Sequence, residues 1–179
     1  MAAERFIYIV DDDPAIRRSL ERLMDAVGFQ VASYATPKAF LDVAGSLLGG
    51  CVLLDLRMPE MDGFEVHARL RSINPDLPVI VVTAQGDVQT AVRAMKAGAV
   101  DFIEKPYGDD ALIAAIESAL KTSAARGRTD DIAMAAELIN TLRPRERQVL
   151  EALVAGQQNK VIAFNLGISV RTEIGRAHV

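Results

Sequence analysis

Cysteine occurs once in this 179-residue chain, at Cys51, so no internal disulfide can form. It lies in the apolar run CVLLD, where a buried core thiol is the expected state. No apolar run approaches the roughly 18 residues that would suggest a membrane span. Signal-peptide features are missing too: MAAERFIYIVDDD has a short apolar stretch that runs straight into three aspartates. No membrane partner and a cytoplasmic location are therefore expected. Strong charge of either sign is also absent, with 20 Lys+Arg against 24 Asp+Glu and a net of −4.

That small net charge hides an asymmetry. Residues 1–122 carry 12 Lys+Arg and 18 Asp+Glu, a net of −6, whereas residues 141–179 carry 6 and 3, a net of +3. An acidic front and a basic tail point to two modules with different partners, the second of which suits nucleic acid. Half of the residues are hydrophobic, enough for a sizeable core. The length allows one domain of ordinary size and a small second one.

The first 122 residues alternate strand and helix patterns. FIYIV (6–10), QVASY (30–34), CVLLD (51–55), PVIVV (78–82) and VDFIE (100–104) read as strands, mostly continuous β-branched runs of the kind buried on both faces of a parallel sheet. The segments between them read as helices. Residues 14–27, 87–97 and 109–121 have apolar positions at helical spacing, and Gly98 stands as a helix stop. The expected fold is α/β, a five-stranded doubly wound parallel sheet of the flavodoxin-like kind over residues 1–122. TSAARGRTDD (122–131) is small, polar and charged and reads as a linker; IAMAAELIN (132–140) has the makings of a short helix within a linker spanning 123–140. Residues 141–179 read as a small all-α module.

The chemistry lies at the strand ends, where such sheets bind ligands. VDDDP (10–14), LDLRMP (54–59), TAQGD (83–87) and EKP (104–106) all meet at one edge. Converging carboxylates repel one another and call for a cation, and hard oxygen ligands select Mg²⁺. Such a cation also offsets the charge of an incoming phosphoryl group, and an Asp carboxylate can serve as the nucleophile. A lysine and a hydroxyl suit the phosphate oxygens. Each element has a plainer reading: Asp11–Asp13 as helix-end charges, Asp55 as a turn residue, Lys105 as a solvated charge, Thr83 as a strand-end residue. Their joint occurrence at the ends of alternate βα units favours the site.

VDDDP, LLDLRMPEMDG and VTAQGDVQTAVRAMKAGAVDFIEKP strongly resemble the receiver domain of FixJ-type two-component response regulators, over residues 5–121. The resemblance implies that Asp55 accepts a phosphoryl group from a sensor histidine kinase. It implies Mg²⁺ bound directly by Asp12, Asp55 and the Arg57 backbone carbonyl, with Asp11 helping through water. Thr83 and Lys105 would hold the phosphoryl group, and Thr83 and Phe102 would form the switch. Asp13 would point away from the metal, and the bond to Pro106 would be cis. Phosphorylation would promote a homodimer across a face containing Val92, Lys96 and Asp101. Such a protein is no enzyme beyond phosphotransfer to its own Asp and slow autodephosphorylation.

LRPRERQVLEALVAGQQNKVIAFNLGISVRT (142–172) resembles the LuxR-type helix-turn-helix. Pro144 suits a first helical turn and Gly156 a helix stop; Asn159 would cap a second helix, ending before Gly167, and Ser169 a third. The resemblance implies promoter DNA as a partner, with Ser169, Arg171 and Thr172 on the reading helix. Two departures stand out. Arg143 replaces the usual Thr or Ser cap, at a cost of roughly 1 kcal/mol unless another group substitutes. The stretch 141–179 also reads as truncated, because the resemblance implies a recognition helix continuing past Thr172 and a fourth helix after it. EIGRAHV (173–179) is either a genuine, worn-down end or, the favoured reading, non-native sequence, since it back-translates as a common sequencing-adapter oligonucleotide. The short chain is therefore expected not to bind a specific operator. Transcription control is the leading reading. A receiver-only module acting through protein contacts is the alternative, and an Asp-nucleophile phosphatase ranks low because DDDPA lacks the DxDxT or DxDxV pattern.

Overall fold

The computed structural model describes residues 5–84 and 86–156, with the side chains of 126–132 and 145 left out. The chain divides into two compact units, Met1–Arg126 and Gly127–Val179.

The first unit is a five-stranded sheet: β1 (Phe6–Val10), β2 (Gln30–Tyr34), β3 (Cys51–Leu54), β4 (Val79–Thr83) and β5 (Asp101–Glu104). The order is β2-β1-β3-β4-β5 and every pairing is parallel. Each strand lies within a residue of its expected position. The helices between them are α1 (Pro14–Ala26), α2 (Pro37–Ala44), α3 (Gly63–Ile73) and α4 (Val88–Ala97), followed by α5 (Asp109–Thr141). The first four start at acid or hydroxyl caps, with Asp13, Thr36, Asp62 and Asp87 accepting from the first-turn N–H groups of their own helices. α4 ends at Gly98, whose φ of 100° suits a residue without a Cβ.

Alternation along the strands divides the core between the two faces. Ile7, Ile9, Cys51, Leu53, Ile80 and Val82 face α1 and α5 through Leu20, Met24, Leu112 and Ile116. Tyr8, Val10, Val52, Leu54 and Val79 face α2 and α3 through Phe40, Ala44, Val66 and Leu70. Burial pushes the Cys51 thiol up to about 12, so it stays protonated and inert. Because β1 and β3 are neighbours while their connections leave in opposite directions, a crevice opens at their carboxyl ends.

The expected end of the fifth helix near residue 121 is corrected. α5 runs on to Thr141, through the stretch that reads as a linker. No proline stands between Pro106 and Pro144, and Ala and Arg propagate a helix well; Gly127 costs about 1 kcal/mol. A segment that extends an anchored helix also escapes the nucleation cost of an isolated one. Among the described residues no helix is long and apolar enough to cross a membrane.

In the second unit, α6 (Pro144–Val154) begins at Pro144, and Gly156 lies beyond it with φ 75°. The Glu146 carboxylate accepts the Arg143 backbone N–H at 2.9 Å, one half of a capping box. Thr141 is used elsewhere, donating to the Leu138 carbonyl at 2.7 Å. Arg143 has no acceptor to offer the first turn, so the other half is missing. Asn159, Gly167, Ser169, Arg171 and Thr172 lie outside the described residues. Arg143→Ser is expected to stabilise the start of α6 by about 1 kcal/mol. Slower amide exchange at Glu146 would show it; unchanged exchange would mean that the Glu146 half is sufficient.

Candidate functional site

Four loops meet at the carboxyl edge. β1 ends by turning into the acidic run, where the Asp11 N–H still donates to the Tyr34 carbonyl at 3.3 Å. Asp11 is buried, and its Oδ1 accepts the Asp13 N–H at 2.9 Å. Asp13 faces the helix, accepting the Ala15 N–H at 2.7 Å as the α1 cap. The plain reading of helix-end charge thus fits Asp13, while Asp11 and Asp12 turn to the crevice. Carboxylate oxygens of Asp11, Asp12 and Asp55 lie within 4.8 Å of one another.

Asp55 follows β3 and is 8% exposed. Loss of water raises its pKa above the ordinary carboxylate range. The Lys105 ammonium opposes that shift, the neighbouring Asp11 charge adds to it, and the Leu56 and Arg57 N–H groups donate to the carboxylate and oppose it. Lys105 reaches both acids: its Nζ stands 2.7 Å from Asp11 Oδ2 and 3.9 Å from Asp55 Oδ1. The tighter pairing is therefore with Asp11. Thr83 is fully buried at the end of β4, and its carbonyl accepts the Lys105 N–H at 2.9 Å. The Lys105–Pro106 peptide is cis. Phe102 is half-buried beside the cluster of Leu56, Val81, Ala94 and Ala99. Val92 is exposed on α4, Lys96 lies in the last turn of that helix, and the Asp101 carboxylate accepts the Phe102 N–H at 2.8 Å.

Two residues that sequence reasoning passed over shape this site. A Cβ on Gly63 would stand 2.4 Å from the Asp55 carbonyl oxygen and 2.7 Å from Leu56 Cα, so only glycine lets α3 start against the end of β3. Glu60 has φ 73°, with the Met61 N–H donating to the Pro59 carbonyl at 2.9 Å, a γ-turn in a strained region for a residue with a Cβ. The first was foreshadowed by a glycine at the head of a helix; the second left no signal in the sequence.

Comparison with known proteins agrees with this geometry. Residues 7–117 match the response regulator receiver domain, and residues 140–172 match the luxR family of bacterial regulatory proteins. The transcriptional regulatory protein FixJ of Bradyrhizobium diazoefficiens is 45% identical over all of this chain and 88% of its own length. A crystal structure of full-length FixJ from B. japonicum aligns with a TM-score of 0.66 at 44% identity, over 97% of this chain and 86% of that one. The response regulator StyR aligns with a TM-score of 0.72 at 36% identity, over 98% of this chain and 90% of that one. A receiver sheet followed by a LuxR-family region defines a two-component response regulator that controls transcription. Within that class the chain belongs to the FixJ-type regulators.

The raised pKa of Asp55 has a consequence for stability. A folded pKa above the unfolded one means that stability is present below the unfolded value and lost as pH rises through the folded value. At neutral pH the buried carboxylate therefore destabilises the metal-free protein. Asp55→Asn is expected to melt higher than wild type at pH 7 in chelator, with the advantage shrinking as pH falls through the raised folded pKa and gone by about pH 4. Equal melting at pH 7 would contradict the burial argument. Gly63→Ala is expected to cost about 1–3 kcal/mol in urea unfolding, from the forced shift of the β3 end.

Proposed function

We propose that Asp55 is the phosphoacceptor, and that a sensor histidine kinase supplies the phosphoryl group. The convergence of Asp11, Asp12 and Asp55 beside Lys105 carries this reading. An Asp55 carboxylate oxygen attacks phosphorus in line. The bond from phosphorus to the donor nitrogen breaks, its electrons stay with the imidazole, and an acyl phosphate remains on Asp55. Lys105 is within one side-chain movement of Asp55 and suits a phosphate oxygen, as does the Thr83 hydroxyl.

The donor set fits a hard divalent cation, because all three clustered side chains are carboxylates. Asp12, Asp55 and the Arg57 carbonyl would hold Mg²⁺ directly, and Asp11 would support it through water. When bound, Mg²⁺ offsets the negative charge that gathers on the phosphoryl oxygens. Asp11 also holds Lys105 in place until an anion competes for it.

Phosphorylation then shifts a population rather than building a new shape. Thr83 moves toward the phosphoryl group and Phe102 turns inward. The α4 and β5 face pairs with a second copy through Val92, Lys96 and Asp101, and in the full-length protein the dimer engages promoter DNA. The exposure of Val88, Val92 and Met95 along α4 supports an apolar contact there. The LuxR-family match favours this reading over a receiver-only module. Beyond its own phosphorylation and slow autodephosphorylation, no turnover of an external substrate is proposed, and the protein acts in the cytoplasm.

Intact-mass measurement with a small phosphodonor and Mg²⁺ tests the central assignment. Wild type is expected to gain one phosphoryl group, and Asp55→Asn none; undiminished uptake by the variant would sink it. Asp12→Ala is expected to slow uptake and weaken Mg²⁺ binding. Sedimentation with a stable phosphate mimic is expected to give a dimer for wild type and a monomer for Val92→Glu.

A further inference from the structure

Arg17, on the first turns of α1, reaches back beneath the acidic loop. Its Nη1 donates to the Asp11 carbonyl at 2.7 Å and to the Asp12 carbonyl at 2.9 Å. These two carbonyls fall between regular elements. The sheet takes its last bond at the Asp11 N–H, and α1 begins where the Asp13 carbonyl accepts the Arg17 N–H at 3.1 Å. Asp11 is also held through its side chain, by the Asp13 N–H and by Lys105. Asp12 is exposed, and the Arg17 bond to its carbonyl is what ties it to α1. A guanidinium suits this task, because it is permanently charged and its planar Nη1 alone carries two N–H groups, enough to serve both carbonyls. Hydrogen bonds from charged donors are stronger than neutral ones.

We propose that Arg17 is a positioning residue for the cation site, clamping the loop backbone so that the Asp12 carboxylate stays directed at Asp55. This rests on the reading of Asp11, Asp12 and Asp55 as that site. The guanidinium charge by itself works in the opposite direction, since it repels a divalent cation. Salt separates the two effects. At about 1 M the Debye length falls to about 3 Å, so the repulsion is screened while the direct hydrogen bonds remain.

The experiment is calorimetric titration of the full chain with Mg²⁺ at about 1 M KCl, for wild type, Asp12→Asn, Arg17→Met and Arg17→Lys. Amide exchange of the metal-free proteins accompanies it. Arg17→Met is expected to bind Mg²⁺ about tenfold more weakly than wild type. Arg17→Lys, with the charge but not the planar, longer-reaching pair of N–H groups, is expected to fall between them. Without metal, the Asp13 amide is expected to exchange faster in Arg17→Met, while protection in β3 and β4 is unchanged. Binding lost in Asp12→Asn but equal to wild type in Arg17→Met would overturn the role of Arg17 and leave the cation site standing. Unchanged Asp13 exchange would overturn the clamp as well. No Mg²⁺ binding by wild type would overturn both readings. Should β3 lose protection in Arg17→Met, Arg17→Lys decides: affinity equal to wild type overturns the clamp.

Discussion

Repulsion between like charges is the constraint on which this receiver is built. Carboxylate oxygens of Asp11, Asp12 and Asp55 stand within 4.8 Å of one another, and Asp11 and Asp55 are both buried. Desolvated carboxylates of this kind do not stay together unless cations and N–H groups face them. Lys105 supplies the cation and pairs with Asp11. The Leu56 and Arg57 N–H groups point at Asp55. What remains is an excess of negative charge beside a short reach of lysine, which suits a divalent cation and then a phosphoryl group. The protein carries the cost of holding that charge in the resting state.

Rigidity comes from the sheet. β3 and β4 are buried along their whole length, so the residues that follow them have little freedom. Two tightly packed clusters on opposite faces hold the strands in register. Gly63 lets α3 begin in direct contact with the end of β3, and the γ-turn at Glu60 closes the loop between them. Strain in such a place persists because its surroundings over-determine it.

The strands were legible because parallel strands buried on both faces are continuous apolar runs, and all five lie within a residue of expectation. The end of α4 was legible because Gly98 tolerates the positive φ that stops a helix, whereas Asp13 and Asp87 were not singled out as the caps they prove to be. The far half of α5 was only partly legible. IAMAAELIN (132–140) reads as helical, but the small, polar and charged stretch 122–131 masks the continuity, which depends on the absence of proline and on the anchored turns before it. The cap of α6 was half legible: Arg143 cannot accept a bond, but the reciprocal bond from Glu146 depends on a side-chain direction that spacing alone did not settle.

The sequence by itself determined the alternation of strands and helices, and with it the edge at which Asp11, Asp12, Asp55, Thr83 and Lys105 gather. Periodicity and parallel topology are sufficient for that, because every strand must end on the same side. Only the tertiary structure decided how the charges pair there. Lys105 sits closer to Asp11 than to Asp55. Arg17 crosses under the loop to hold two carbonyls, and α3 needs Gly63 where it meets Asp55. These are differences of an ångström or two between groups distant in sequence. They follow from packing and local dielectric, which no one-dimensional pattern encodes.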